Sequence, residues 1–246
     1  MKSYMSSSGI KKFRKCPRQW WYHYVSNYEE VMGETKYLDL GNAVHEAIEK
    51  WLKPDSPDGL DTLLAHYQRL QLYHGVPEDM VEVGEQCCRK AFDFVADQDP
   101  TILGIEEKAR FNINRPDVQT EVFGKMDVAT DTEIWDWKTG SIRDDTPVEE
   151  KIQGATYMAA YNVLYGKPPE KIRFIYLKEE AVRSLDPSDE VWNVMLTHAR
   201  KLTVAKQNDR FPAKPGNKCY WCGYEKYCDA AAGTGGDFDW EDWMRL

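Results

Sequence analysis

The sequence predicts an α/β fold in which a mixed central β-sheet is flanked by helices, with a helical N-terminal region before the sheet and a C-terminal cysteine-cluster loop after it. Residues 1–100 place apolar residues at helical spacing, and residues 101–140 contain successive strand-like stretches separated by turns. A helix and another strand follow. This order puts antiparallel and parallel strands in one sheet with helices on its faces.

Length and composition fit one large domain, because the chain has 246 residues and 42% of them are hydrophobic. We predict a single domain over residues 1–232, made of a helical part (1–100), a core (101–210) and a cysteine-containing loop (211–228), followed by a flexible tail over 233–246. The sequence has no long uninterrupted apolar stretch, and its start, MKSYMSSSGIKKFRKCP, lacks the apolar segment of a secretion signal. We therefore expect a soluble cytoplasmic protein without a membrane partner.

The N-terminal region is predicted to be helical throughout. The serines at 6–8 offer an N-cap for a first helix, and Pro17 interrupts its pattern directly after Cys16, which predicts two short helices. Three longer helices with one apolar face each follow. They are predicted at residues 38–52, 60–73 and 78–97.

Three consecutive strands are predicted next, and the last of them carries the sequence WDWKTG. A long helix, an apolar strand and a final helix follow. The three strands are predicted at residues 102–113, 117–129 and 133–138, the long helix at 146–165, the further strand at 171–177 and the final helix at 190–207.

The second and third strands form a predicted hairpin that brings two acidic residues together. If the turn is centred on residues 131–132, Asp127 lies directly opposite Asp136, with Cβ atoms about 5 Å apart. Strand alternation puts Lys138 on the same face as Asp136. The two tryptophans of WDWKTG then point into the core on the other face.

This carboxylate pair predicts a metal-dependent site. Two carboxylates so close repel each other unless a proton or a cation lies between them, and oxygen ligands suit a hard divalent ion such as Mg²⁺ or Mn²⁺. A neighbouring lysine can orient or deprotonate a bound water, or stabilise charge on a phosphate. The chain lacks the glycine-rich phosphate loop of ATP-driven motors, so we do not expect it to be one.

Two basic clusters fit either the flanks of a nucleic-acid groove or solvated helix faces, despite a net charge of -9. The first of two basic clusters contains Lys11, Lys12, Arg14, Lys15 and Arg18, and the second contains Arg200, Lys201, Lys206, Arg210, Lys214 and Lys218. Arg18, Trp20 and Trp21 combine a cation with aromatic rings. We predict DNA contacts at these three residues, because phosphates bind cations and bases stack on rings.

The cysteines fall into two groups. Cys87 and Cys88 are adjacent within a helical pattern, which indicates small buried residues. Cys16 lies in KCPRQWW, and three more cysteines lie in KCYWCGYEKYC. In an intracellular protein such cysteines are more often metal ligands or core residues than disulfides, and CxxC spacing is typical of zinc sites.

Four motifs, in their order along the chain, resemble one family. They are GNAVHEAIE with His45, GKMD with Asp127, WDWKTG with Asp136 and Lys138, and QGATY with Gln153 and Tyr157. This series resembles the PD-(D/E)XK nucleases of the RecB type, whose core is restriction-endonuclease-like. The framing cysteines resemble the iron-sulfur subgroup that includes the AddB nuclease domain and the CRISPR-associated RecB-like exonucleases. The resemblance covers most of residues 6–228, and small members of this kind are often phage-encoded.

The resemblance implies a role for each matching residue. The implied metal ligands are His45, Asp127, Asp136 and the backbone carbonyl of Trp137. Lys138 is the implied catalytic lysine, while Gln153 and Tyr157 correspond to a pair that supports the active site and contacts DNA. Glu106 and Glu107 both precede the hairpin, so a supporting acidic role cannot be assigned to one of them from the sequence.

The resemblance also implies a cofactor and an activity. The implied ligands of a [4Fe-4S] cluster are Cys16, Cys219, Cys222 and Cys228, with a structural zinc site as the alternative. The implied activity is metal-dependent hydrolysis of DNA from single-stranded ends, 5′ to 3′, in recombination, repair or replication. The rival hypothesis is a non-catalytic or structure-specific DNA-binding module with a scaffold or endonuclease role.

The tail sequence DFDWEDWMRL interleaves acidic and aromatic residues after a glycine-rich segment. Three hypotheses fit this composition: the tail folds back on the domain, docks on a recombination or replication protein, or lies over the basic groove and competes with DNA. The last hypothesis predicts that deleting residues 237–246 tightens single-strand binding.

Overall fold

A six-stranded mixed β-sheet lies at the centre of the computed structural model, which describes residues 4–31, 33 and 35–232. The strands are β1 (Tyr4–Ser6), β2 (Ile102–Arg115), β3 (Val118–Thr130), β4 (Glu133–Lys138), β5 (Lys171–Tyr176) and β6 (Ala181–Leu185). The helices are α1 (Ser7–Lys15), α2 (Pro17–Tyr24), α3 (Lys36–Leu52), α4 (Leu60–His74), α5 (Glu78–Gln98), α6 (Thr146–Tyr165) and α7 (Asp189–Gln207). Short 3-10 turns at Asn217–Trp221, Glu225–Tyr227 and Asp229–Ala232 follow.

Strand β3 organises the sheet. It pairs antiparallel with β2 along its length, antiparallel with β4 over a shorter stretch, and parallel with the three residues of β1. Strand β2 occupies one edge of β3. Strands β1 and β4 therefore pair with the other edge of β3, each near one end of it. Strand β5 then pairs parallel with β4, and β6 antiparallel with β5. The predicted mixed sheet with flanking helices is confirmed.

The two faces of the sheet carry separate apolar cores. Helices α3, α4 and α5 cover one face, where Trp135 and Trp137 are buried, each 2% exposed, against the ring of Phe94. Helices α6 and α7 pack over the other side with α1. The prediction that the two tryptophans point into the core is confirmed.

The helical N-terminal region begins as predicted, with two short helices. The Ser6 hydroxyl accepts a hydrogen bond from the Gly9 amide at 3.2 Å and caps α1, while Pro17 occupies the first turn of α2. Cys16 lies between the two helices with an extended backbone. The position of Cys16 is therefore fixed by α1 on one side and α2 on the other.

Two strands were missing from the sequence prediction. β1 has three residues and pairs parallel with β3, and β6 has five residues at the edge of the sheet. Strands this short carry too few alternating residues for a pattern, and pairing with a neighbour stabilises them instead.

Within the described ranges, every helix lacks the combination of length and apolar character that crossing a membrane requires. The predicted acidic and aromatic tail, residues 233–246, lies outside the described residues.

Candidate active site

The site lies where β3 and β4 separate. Their paired residues are Val128 with Trp135 and Ala129 with Ile134, and the same register carries Asp127 to Asp136. The predicted register is therefore confirmed. At this position the Trp137 amide donates to Asp127 Oδ2 at 3.0 Å instead of to a backbone carbonyl. The strand separation thus turns two backbone neighbours into a pair of facing carboxylates.

Asp127 is held between the sheet and helix α3. Its Oδ2 atom lies 3.4 Å from His45 Nδ1, so α3 brings the predicted histidine to the predicted aspartate. Burial raises the pKa of Asp127, and the neighbouring Asp136 raises it further, while His45, Lys138 and the Trp137 amide oppose this shift. A carboxylate in these surroundings is stabilised when a cation joins it.

The two carboxylate oxygens of Asp136 have different partners. The side chain is 2% exposed, and Oδ1 accepts hydrogen bonds from the Tyr157 hydroxyl at 2.5 Å and from Gln153 Nε2 at 2.8 Å. Oδ2 receives no well-aligned hydrogen bond from the described residues and lies 2.5 Å from Lys138 Nζ. A buried carboxylate oxygen without an aligned hydrogen bond is suited to bind a cation. Carboxylate oxygens are the ligands that hard divalent ions prefer.

Helix α6 supplies the groups that orient Asp136. Gln153 and Tyr157 lie one turn apart, and Gln153 Nε2 also donates to the Tyr157 hydroxyl at 2.5 Å. Burial, and then the adjacent Asp136 charge, raise the pKa of Tyr157 well above its usual value. Tyr157 therefore remains a proton donor and fixes the Asp136 carboxylate.

The motif glycines allow α6 to approach the sheet. A Cβ atom on Gly124 of GKMD would lie 3.1 Å from both Ala160 Cβ and Thr156 Cγ2 on α6. A Cβ atom on Gly154 of QGATY would lie 2.4 Å from Leu185 Cδ2 on β6. A larger residue at 124 would crowd the α6 backbone and side chains directly, whereas one at 154 meets the flexible end of Leu185.

Lys138 is a cation in these surroundings. Its Nζ atom donates to Gln153 Oε1 at 3.1 Å and forms the ion pair with Asp136. Burial lowers the pKa of Lys138, but Asp136 and then Asp127 raise it by more, so the net direction is upward. The predicted lysine therefore lies next to both carboxylates as an ammonium group.

A second lysine, which the sequence did not single out, reaches the same glutamine. Lys11 Nζ on α1 donates to Gln153 Oε1 at 3.0 Å across 142 residues of chain. Burial lowers the pKa of Lys11, and the charge of Lys138 lowers it further. The sequence placed Lys11 in a general basic cluster, because only the packing of α1 beside α6 reveals this contact.

The structure distinguishes Glu106 from Glu107. Glu107 pairs in register with Met126, while Glu106 has a left-handed backbone, φ 56°, and is the unpaired residue of the β2–β3 ladder opposite Asp127. This conformation costs a non-glycine residue about 1 kcal/mol and is found most often near functional sites. Glu106 forms an ion pair with Lys125.

An open cleft of about 540 Å³ lies beside these groups. His45, Asp127 and Glu106 all line it, so of the two acidic residues it is Glu106 that faces the cleft. The other lining residues are Tyr37, Leu38, Gly41, Asn42, Glu46, Glu49, His74, Lys125 and Thr139. The cleft gives a substrate or an ion access to Asp127 from solvent.

The four cysteines outside the core surround a second, small cavity. Its lining includes Cys16, Cys219, Cys222 and Cys228. The Lys214 amide donates to Cys16 Sγ at 3.4 Å, and all four thiols are half-buried and free of disulfides. Burial raises the pKa of Cys222, and the other three thiols raise it further. Four thiols around one cavity fit a soft-metal or iron-sulfur centre by their chemistry.

Among the described residues, no three His, Cys, Asp or Glu side chains are drawn together tightly enough to hold an ion as they stand. Unlike the four cysteines at the cavity, Cys87 and Cys88 are 1% and 0% exposed within the core, as predicted. Burial raises the pKa of Cys87 to about 11.

The residues predicted to contact DNA differ in their exposure. Trp20 is 5% exposed and stacks on Phe211, with ring centroids 5.4 Å apart. Tyr157 is 2% exposed behind Asp136. Arg18 is exposed, and its Nε atom donates to the Phe211 carbonyl at 2.8 Å and anchors the C-terminal segment. Contacts of DNA with these three residues, with the half-buried Trp21 and with Gln153 stay predictions.

Comparison with known proteins identifies one family and two similar solved structures. The family described as the PD-(D/E)XK nuclease superfamily matches residues 4–229. A crystal structure named as a candidate exonuclease, from Eubacterium rectale, is 12% identical, with a TM-score of 0.54 and coverage of 98% of this chain and 93% of that one. A second crystal structure, of the protein SSO0001, is 13% identical, with a TM-score of 0.41 and coverage of 91% and 95%. No curated protein matches the sequence.

Proposed function

Because this chain belongs to the PD-(D/E)XK nuclease superfamily, we propose that it is a metal-dependent DNA exonuclease that degrades single-stranded ends in the 5′ to 3′ direction. The observation that carries this proposal is the set of partners that the two carboxylate oxygens of Asp136 have. One of its oxygens is held by α6, while the other is buried and forms an ion pair with Lys138. Asp127 faces Asp136 across the open end of the hairpin. This is the donor set of a Mg²⁺ or Mn²⁺ site.

The groups proposed to hold the ion are Asp127, Asp136, His45 and the backbone carbonyl of Trp137. A bound divalent ion would lower the pKa of a water molecule and neutralise charge on the scissile phosphate. The histidine nitrogen favours Mn²⁺ over Mg²⁺, because imidazole is a softer ligand than carboxylate.

The protein's own side chains then position the reaction. In hydrolysis the water oxygen bonds to phosphorus, the bond from phosphorus to the leaving sugar oxygen breaks, and that oxygen gains a proton. Lys138 places a fixed positive charge beside Asp136, where it stabilises negative charge that develops on the phosphate oxygens. Gln153 and Tyr157 keep Asp136 Oδ1 engaged, so that Oδ2 stays directed at the reacting centre.

Lys11 belongs to this machinery by its shared contact with Gln153. We expect Lys11→Gln to lower the rate of DNA cleavage about tenfold to a hundredfold, because one of the two cations at Gln153 is removed from the phosphate side of the site. The measurement is single-turnover cleavage of a labelled oligonucleotide. Lys12→Gln is the matched control, since the neighbouring Lys12 Nζ lies 3.8 Å from Glu30 instead. Equal rates for the two variants would remove Lys11 from the site.

The polarity and the need for ends come from the family resemblance, so they require their own test. Linear single strands labelled at the 5′ end should release labelled mononucleotides or short fragments at the earliest times, while strands labelled at the 3′ end should shorten progressively. A closed circular single strand should remain intact. Cutting of the circle at the rate of the linear strand would assign an endonuclease instead.

We also propose that Cys16, Cys219, Cys222 and Cys228 hold a [4Fe-4S] cluster, as in the RecB-like iron-sulfur exonucleases. Their convergence on one cavity and the amide hydrogen bond to Cys16 Sγ support this proposal. A structural zinc ion is the alternative, because its ligands have the same spacing. Iron and zinc analysis of the purified protein distinguishes the two.

The proposed setting is the cytoplasm of a cell, or of a host cell if the protein is phage-encoded. There a single-strand exonuclease serves recombination, repair or replication. A partner protein of one of these processes would bind through the tail, residues 233–246.

A further inference from the structure

Three large aromatic side chains stand open to solvent on one side of the molecule. Tyr37, Tyr220 and Trp221 are 63%, 77% and 90% exposed, respectively. We call these three rings the aromatic surface. Exposed rings grouped in this way usually mark an interaction site, because a folded chain otherwise buries them.

The aromatic surface is continuous with the catalytic cleft. Tyr37 lines the cleft together with His45 and Asp127. Tyr37 also lines a second open cavity, of about 520 Å³, together with Tyr220 and Trp221. A ligand that leaves the cleft past Tyr37 therefore enters the space beside Tyr220 and Trp221.

Cations accompany the rings at this junction. Lys36 Nζ and Lys178 Nζ each lie 5.5 Å from the centre of the Tyr37 ring. Lys226 lines the second cavity, together with Glu225. Rings interleaved with lysines match a strand whose bases alternate with phosphates.

We propose that the aromatic surface is a stacking platform for the bases of single-stranded DNA next to the catalytic cleft. The proposal rests on the proposed function and specifies where the strand lies outside the cleft. Bases in a duplex are already stacked on each other, so the platform selects single strands over double strands.

The test is the affinity of the full chain for a labelled oligothymidine, measured in EDTA so that no metal-dependent cleavage takes place. We expect Trp221→Ala and Tyr37→Ala each to weaken single-strand binding about tenfold, which is the typical effect of removing one stacking ring. The salt dependence of binding should stay unchanged, because no phosphate contact is lost. Binding of duplex DNA should change little.

Two controls accompany these variants. Tyr73→Ala removes a ring on α4 that is 80% exposed but lines neither cavity, so it should leave affinity unchanged. Trp221→Phe keeps a ring and should retain most of the affinity. In wild-type protein, single-strand binding should quench tryptophan fluorescence, and the quenching should be reduced in Trp221→Phe.

The proposal is wrong if Trp221→Ala and Tyr37→Ala bind single strands as wild type does. If these two variants lower only thermal stability, the rings serve as a docking site for the protein's own tail. If they instead turn a self-associated protein into a monomer, the surface is a contact between copies. Failure of the proposed function is a separate result, in which wild-type protein neither binds nor cleaves DNA.

Discussion

Replacing Lys138 with alanine is expected to lower DNA cleavage at least about a thousandfold and to leave the protein folded. Lys138 Nζ lies 2.5 Å from Asp136 Oδ2 and 3.1 Å from Gln153 Oε1, so its loss removes the fixed charge beside the reacting centre. Single-turnover cleavage measures the effect, and circular dichroism checks the fold. Lys108→Ala, at an exposed lysine on β2, serves as the control and should cleave normally.

The carboxylates should behave like Lys138. Asp127→Asn and Asp136→Asn preserve side-chain size but remove the charge that attracts the ion, so both should lose cleavage to a similar degree. Both variants should also bind Mn²⁺ more weakly in a calorimetric titration. Wild-type cleavage by any one of the three folded variants would contradict the assignment of the site.

Replacing Cys16 or Cys222 with alanine is expected to remove bound metal and most of the soluble protein. Cys16 lies between α1 and α2, far along the chain from Cys222, so a metal centre held by both would close a very long loop. It would add to the hydrogen bond by which Arg18 Nε holds the Phe211 carbonyl at 2.8 Å. Cys88→Ala is the control, because this buried residue lies in the core and touches no proposed ligand; its effect should be about 1 kcal/mol.

The same substitutions report the nature of the centre. Wild-type protein purified without oxygen should be brown and contain iron. The Cys16 and Cys222 variants should lose this colour and DNA cleavage together. The two losses are linked because Cys16 ends the helix that carries Lys11 to Gln153. Colourless wild-type protein loaded with zinc would contradict the iron-sulfur proposal and leave the structural role to zinc.

Local patterns were sufficient to predict the hairpin. Alternation and a short turn determine the register that carries Asp127 to Asp136, and Trp135 and Trp137 occupy the core as alternation requires. His45 is on the predicted helix, but only the packing of α3 on the sheet shows that it reaches Asp127. Contacts within one hairpin are thus readable from sequence, whereas contacts between distant elements are not.

The residues that sequence reasoning missed or misplaced all depend on such distant contacts. Lys11 is one of several lysines in its segment, and its role follows from the position of α1 beside α6. Glu106 differs from Glu107 only by a backbone irregularity that turns it to the cleft. Trp20 was assigned to the surface because its neighbours are basic, yet the C-terminal segment covers it with Phe211. Each outcome is decided by tertiary packing rather than by local preference.

The most direct test of the central claim is the dependence of DNA hydrolysis on a divalent ion at the two carboxylates. Linear single-stranded DNA is incubated with wild-type protein while Mn²⁺ or Mg²⁺ is titrated from a metal-free, EDTA-treated start, and released nucleotides are measured. We predict no release without the ion, saturable release as it is added, and none at any concentration with Asp136→Asn. Release that persists in EDTA, or that is the same with Asp136→Asn, would contradict the account.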